Sequence, residues 1–225
     1  MGTVPLRVMT YNVHGLKDDR DALTSLIRDA EPDVVLVQEA PRRFRWRHKC
    51  AALADDAGMV VGAGGLPSLG NLILVSLRLR VRHSWCVRYP LTPGRHMRGA
   101  AFATCSVRGA QFTVSGSHLS TDPVERPAQA ERWKQELAAI EGIVIAGGDL
   151  NEGPGGGAWR TVADGLGTDD AGILTFPARL PQHQLDAVFA HPGVTIDKYT
   201  VIDTDRARLA SDHLPVIADL RLPST

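Results

Sequence analysis

Val34-Val35-Leu36-Val37-Gln38-Glu39 is an apolar run that ends in an amide and a carboxylate. Four apolar residues without alternation suit a strand covered on both faces, because a half-exposed strand alternates apolar with polar. Just before it, Leu23, Leu26, Ile27 and Ala30 recur at i, i+3, i+4 and i+7, the stripe of an amphipathic helix that Pro32 stops. Residues 6–12 read as a first strand, so the chain opens strand, helix, strand. Beyond Glu39, residues 42–57 read as a helix whose start is crowded by Arg42, Arg43, Arg45, Arg47 and Lys49. That run reads as a solvated helix face, with anion binding as the alternative.

Further along, residues 72–77, 81–87, 100–107 and 111–117 form four strand-like runs with few helical signals, the pattern of an antiparallel meander. Asp122, Pro123 and Glu125 resemble a capping box for a helix carrying Trp133, Leu137 and Ile140, which Pro127 can delay. A buried strand at residues 143–146, a short helix near Trp159 and strands at 185–190, 194–201 and 216–222 follow. Strands interleaved with helices at both ends and a meander between them predict an α/β fold of two mixed sheets packed face to face under outer helices.

The 225 residues are 44% hydrophobic and 22% charged, which excludes a disordered tail or a fibrous repeat and allows one domain spanning residues 1–225. Net charge is zero, so no whole-molecule field draws the chain to nucleic acid or an anionic membrane. The zero hides an asymmetry. Residues 1–110 hold 16 Lys/Arg and 9 Asp/Glu, a net +7, and the remainder is −7. Cys50, Cys86 and Cys105 lack the short spacing of a metal or redox site and read as reduced core thiols. No signal peptide, membrane span or acylation motif is visible, so a cytoplasmic location is expected, while the oligomeric state stays open.

Polar residues stand where the apolar runs end. Asn12 follows the first strand, Glu39 the second, His118 the run 112–117, and Asp149 and Asn151 the run 143–148; Asp186 lies in the run 184–189, and Ser211-Asp212-His213 precedes the last strand. Six strands thus bring acids, amides and imidazoles to one predicted rim. A carboxylate beside so much apolar sequence needs a partner, because an isolated buried charge costs several kcal/mol. A hard cation such as Mg²⁺, or Mn²⁺ in its place, fits that need. Serine nucleophiles lie near histidines, yet no G-x-S-x-G elbow occurs.

Thr10-Tyr11-Asn12-Val13-His14-Gly15, Val37-Gln38-Glu39, Ser117-His118-Leu119, Gly148-Asp149-Leu150-Asn151, Leu185-Asp186 and Ser211-Asp212-His213-Leu214-Pro215 resemble, in order, the motif series of the endonuclease/exonuclease/phosphatase superfamily. That group includes DNase I, AP endonucleases, neutral sphingomyelinases and inositol polyphosphate 5-phosphatases. The resemblance implies a four-layered α/β sandwich and metal-dependent cleavage of phosphate esters. It implies Glu39 as principal metal ligand with Asn12 beside it and Asp212 as a further acid. Asp149 is then the group that positions or deprotonates water, and Asn151 orients it. His213 contacts the scissile phosphate with Asp186 as its carboxylate partner, and His118 reaches the phosphate or leaving group. AP endonucleases carry an aspartate two residues after the asparagine; His14 stands there in this chain, so the DNase or sphingomyelinase style is closer.

The substrate is less legible. Arg95, His96 and Arg98 before a strand are candidates for a phosphate clamp, with His14 and the amide of Asn71 as further phosphate contacts. Aromatic residues for base stacking make up only 5%. A small-molecule or lipid-derived phosphate ester is therefore the favoured partner, nucleic acid the alternative, and a non-catalytic phosphate-binding module the third reading.

Overall fold

The computed structural model describes residues 2–168 and 172–223. The first half contains β1 (Thr3–Asn12), α1 (Arg20–Ala30), β2 (Val34–Gln38), α2 (Trp46–Asp56), β3 (Val60–Gly65), β4 (Asn71–Val75) and β5 (Arg80–Arg88). Then follow β6 (Gly99–Val107), β7 (Ala110–His118), α3 (Arg126–Ala138), β8 (Ile143–Asp149), α4 (Gly157–Ala163), β9 (Asp186–Ala190), β10 (Thr195–Val201), α5 (Asp205–Ala210) and β11 (Val216–Pro223). One sheet has the order β10-β11-β1-β2-β4-β3 and the other β5-β6-β7-β8-β9. Each is mixed, with a single parallel pair, β1 with β2 and β7 with β8.

The apolar runs conceal a period of two that emerges once both faces are covered. Val34 and Leu36 of β2, like Ile73 and Val75 of β4, enter the core between the sheets. Val35, Val37, Leu72 and Leu74 point the other way, onto α1, α2 and α5. The second sheet does the same: Ile145 faces inward, while Val144 and Ala146 meet Trp133 of α3 and Trp159 of α4. Helices, sheet, sheet and helices therefore stack as the expected four-layered α/β sandwich, and all three cysteines are free. Burial pushes the Cys50 and Cys105 thiols up to about 11.

Several sequence expectations need correction. β4 does not begin a meander; it lies between β2 and β3 in the first sheet, and the chain crosses to the second sheet only at β5. β3 carried no strand signal because Gly62, Gly64 and Gly65 interrupt it. α2 starts only at Trp46, after Arg45 in a left-handed conformation (φ 58°), so residues 40–45 are a loop and not a helix face. The short α5, capped by the Thr204 hydroxyl, had no apolar stripe to announce it. Pro127, in contrast, does sit in the first turn of α3.

Candidate active site

The parallel pairs and their antiparallel neighbours bring six strand ends to one edge of the sandwich. β1 and β2 finish side by side at Asn12 and Gln38, and β7 and β8 at His118 and Asp149. β9 runs the other way, so its first residue, Asp186, pairs across from Asp149. β11 is antiparallel to β1, with Thr10 opposite Val216, which brings residues 211–213 to the same edge. Close approach needs glycine here. A Cβ on Gly148 would lie 1.8 Å from the Ser117 carbonyl oxygen, so only hydrogen lets β8 pair with β7 beside the site.

At the centre is Asp149, 1% exposed. Its Oδ2 accepts from Asn12 Nδ2 at 2.9 Å, a bond that joins the two sheets, and its Oδ1 accepts from the Asn151 backbone N–H at 2.9 Å. Asn151 takes up a left-handed conformation (φ 51°), which asparagine tolerates, and donates from Nδ2 to the Leu119 carbonyl at 2.9 Å. On the opposite side the Ser211 hydroxyl donates to the Asn12 carbonyl at 2.7 Å, fastening the loop before β11 to β1.

The two histidines differ in charge. His213 Nδ1 donates to Asp186 Oδ2 at 2.8 Å, and Nε2 lies 3.7 Å from Asp149 Oδ2. Burial alone would lower the His213 pKa, but Asp186, Asp149 and Asp212 together raise it to about 10, so the ring is an imidazolium at neutral pH. The Phe176 ring packs on it with centroids 4.7 Å apart. For His118, burial wins and lowers the pKa to about 3 against the pull of Asp149, with Arg98 pushing the same way as burial. Arg98 Nη1 is 3.1 Å from His118 Nδ1, and a guanidinium can only donate. Nδ1 is therefore the acceptor, and the proton of the neutral ring sits on Nε2, 3.3 Å from Asp149 Oδ2. The Asn151 amide, 3.0 Å from Nε2, then meets the ring without a hydrogen bond.

A cleft of about 740 Å³ opens beside these groups and is lined by Glu39, Arg98 and His118. Glu39 follows β2 in a left-handed conformation (φ 57°) and is half-buried. Among the described residues its carboxylate has no hydrogen bond or ion pair, although it and Asp149 hold up the Arg98 pKa against burial. A hard cation suits that unengaged carboxylate; Asn12, paired across from Gln38, has its Oδ1 accepting from the His14 backbone N–H at 3.1 Å. Asp149, Asp186 and His213 also offer ligand atoms within 4.8 Å of one another. The His213–Asp186 hydrogen bond already occupies part of that cluster, so it reads better as a charged dyad facing Asp149.

Three phosphate-binding expectations are altered. Asn71 donates both amide hydrogens to backbone, to the carbonyls of Ser68 at 2.9 Å and Gly99 at 2.8 Å, and has none for a ligand. Arg95 pairs with Asp122 and does not line the cleft, unlike its neighbours His96 and Arg98. His14 Nδ1 sits 2.7 Å from Asp18 Oδ2 and Nε2 3.8 Å from Asp212 Oδ2, a bridge between acids at the margin of the site. Sequence reasoning did not single out Phe176 or Lys17; Arg42, Arg43 and Lys49, from the run that reads as a solvated helix face with anion binding as the alternative, line the cleft. The arginine run was the visible signal for the last three; Phe176 had none.

Two mixed sheets with catalytic-type residues at one edge define a DNase I-like α/β sandwich. The chain belongs to the Endonuclease/Exonuclease/phosphatase family, whose model matches residues 9–213. Among solved structures, an endonuclease/exonuclease/phosphatase from Bacteroides vulgatus superposes with a TM-score of 0.82 at 18% identity, covering 98% of this chain and 100% of that one. A mannosyl-6-phosphatase from Bacteroides thetaiotaomicron reaches 0.80 at 15% identity, covering 96% and 99%. D. rerio TDP2 complexed with single-strand DNA product reaches 0.77 at 21%, covering 96% and 98%. At such identities the likeness carries the fold alone. No curated protein matches the sequence significantly.

Proposed function

We propose that this chain is a divalent-metal-dependent phosphoesterase that hydrolyses a small-molecule or lipid-derived phosphate ester. The observation that carries this reading is the double fixation of Asp149, one oxygen by Asn151 and the other by Asn12, between a charged and a neutral histidine. A carboxylate held at both oxygens can aim a water at phosphorus and receive its proton without turning. His213, kept charged by Asp186, offers an Nε2–H to a phosphate oxygen; His118 offers a neutral Nε2–H whose direction Arg98 sets. That a mannosyl-6-phosphatase and a TDP2 complexed with single-strand DNA product share the fold fits a phosphoesterase.

Glu39, with Asn12 and Asp212, would hold a Mg²⁺ or Mn²⁺ ion, which when bound supplies charge neutralisation at the phosphate and the leaving oxygen. The test is hydrolysis of bis-p-nitrophenyl phosphate, inositol phosphates, sphingomyelin and plasmid DNA with each metal and with excess EDTA. Turnover of a phosphate ester that EDTA abolishes is expected. Undiminished turnover in EDTA would refute the metal requirement, and a marked preference for plasmid would favour a nuclease.

A further inference from the structure

The cleft is lined by Glu39, Arg98 and His118 and also by five further cations, Lys17, Arg20, Arg42, Arg43 and Lys49. Arg20 is neutralised by Asp56 at 2.5 Å, and Arg42 Nη1 is tethered to the Leu69 and Met97 carbonyls at 3.2 and 3.5 Å. The side chains of Lys17, Arg43 and Lys49 have no hydrogen bond or ion pair among the described residues. These three cations come from different places: the loop after β1, the loop after β2, and the first turns of α2. A solvated helix face would not converge on one concavity. In a chain with 25 acidic residues for 25 basic ones, three unpaired cations share a cleft whose lining holds a single carboxylate, Glu39. An anion bound among them would offset their mutual repulsion.

We propose that Lys17, Arg43 and Lys49 form a second anion subsite beside the scissile position, so that the substrate is a small molecule carrying two phosphate groups. The inference rests on the phosphoesterase reading and narrows its substrate. A cleft of about 740 Å³ matches the size of small-ligand sites and has room for a bisphosphorylated headgroup. Arg43 supplies a bidentate fork and the two lysines point charges, a set suited to a dianionic phosphate. The chemistry is shared by a soluble bisphosphate and by a phosphorylated lipid headgroup.

The test compares wild type with the Lys17→Ala/Arg43→Ala/Lys49→Ala variant, whose three positions are exposed and outside the catalytic set. Calorimetry in EDTA measures binding of inositol 1,4-bisphosphate against inositol 1-phosphate. Wild type should bind the bisphosphate at least tenfold more tightly, and the variant should lose that preference. With Mg²⁺, the variant should keep bis-p-nitrophenyl phosphate hydrolysis within about twofold and lose at least tenfold in kcat/KM on the bisphosphate. Phosphatidylinositol 4-phosphate against phosphatidylinositol, each in phosphatidylcholine vesicles, distinguishes the lipid source from the soluble one. Equal binding of mono- and bisphosphate by wild type, an unchanged preference in the variant, or single-stranded DNA preferred over both inositol ligands overturns the proposal. Absence of turnover of bis-p-nitrophenyl phosphate, of both inositol phosphates and of both vesicle substrates by wild type overturns the phosphoesterase reading instead, and the calorimetric preference then reports the subsite by itself.

Discussion

Asp186 and His213 form a buried pair whose energetics depend on pH in a definite direction. The His213 pKa stands near 10 in the folded protein against the ordinary 6.5, so its stabilising contribution is complete below pH 6.5 and disappears as pH rises through 10. The Tm gap between wild type and Asp186→Asn, measured in EDTA, should be widest at or below pH 6.5 and narrow steadily towards pH 10. A gap that stays constant over that interval contradicts the charged dyad. His118 should behave oppositely: ¹⁵N spectra should show a neutral ring with the proton on Nε2 throughout the physiological range, because burial and Arg98 lower its pKa to about 3. A second titrating histidine assigned to residue 118 near neutrality would refute that. Asp149→Asn keeps the side-chain shape but removes the proposed proton acceptor, so kcat should fall by roughly 10²–10⁴-fold with the thermal transition intact.

Among the elements, β8 is the one whose position the site depends on most. Gly148→Ala would drive a methyl into the Ser117 carbonyl, 1.8 Å away, and the backbone of β7 cannot yield without losing the β7–β8 ladder. A loss above about 3 kcal/mol in denaturant unfolding is expected, large for a single methyl and diagnostic of a backbone clash. A cost under about 1 kcal/mol would mean that the two strands are less tightly coupled than described. α3 shows how an outer helix contributes: Trp133, fully buried, donates from Nε1 to Ser115 Oγ of β7 at 2.9 Å.

Across the whole molecule, the strand nearest the end of the described chain is structurally central. β11 lies between β10 and β1 and pairs with β1 along its length, from Thr3 opposite Pro223 to Thr10 opposite Val216. Val216, Ala218, Leu220 and Leu222 fill the core between the sheets. Deleting residues 216–223 should therefore abolish the cooperative thermal transition; retention of a sharp transition would show that β10 and β1 close the gap unaided. The thiols belong to the core as well. Cys50→Ser and Cys105→Ser should leave kcat nearly unchanged, since burial holds both thiols protonated at neutral pH and neither lines the cleft.

The sequence by itself determined most of the strands and which polar side chains stand at their ends. Unbroken runs such as residues 34–37 and 143–146 suit strands covered on both faces, and the polar residues Asn12, Glu39, His118, Asp149, Asp186 and His213 that interrupt apolar sequence stand at one edge of the sandwich. These are local properties: the burial demanded by a side chain and the period of two are written in consecutive residues. Tertiary structure alone decided which sheet β4 joined, that the glycine-rich residues 60–65 form a strand, and that Asn71 binds backbone instead of ligand. It also decided the tautomer of His118 and turned part of an arginine run that reads as solvated surface into one wall of a cleft. Each of these depends on which distant group packs alongside: Val75 opposite Val34, the Gly99 carbonyl near Asn71, Arg98 against His118, Lys17 facing the same cleft as Arg43. Pairing across long separations in the chain is set by the packing of whole layers, and no window of neighbouring residues contains it.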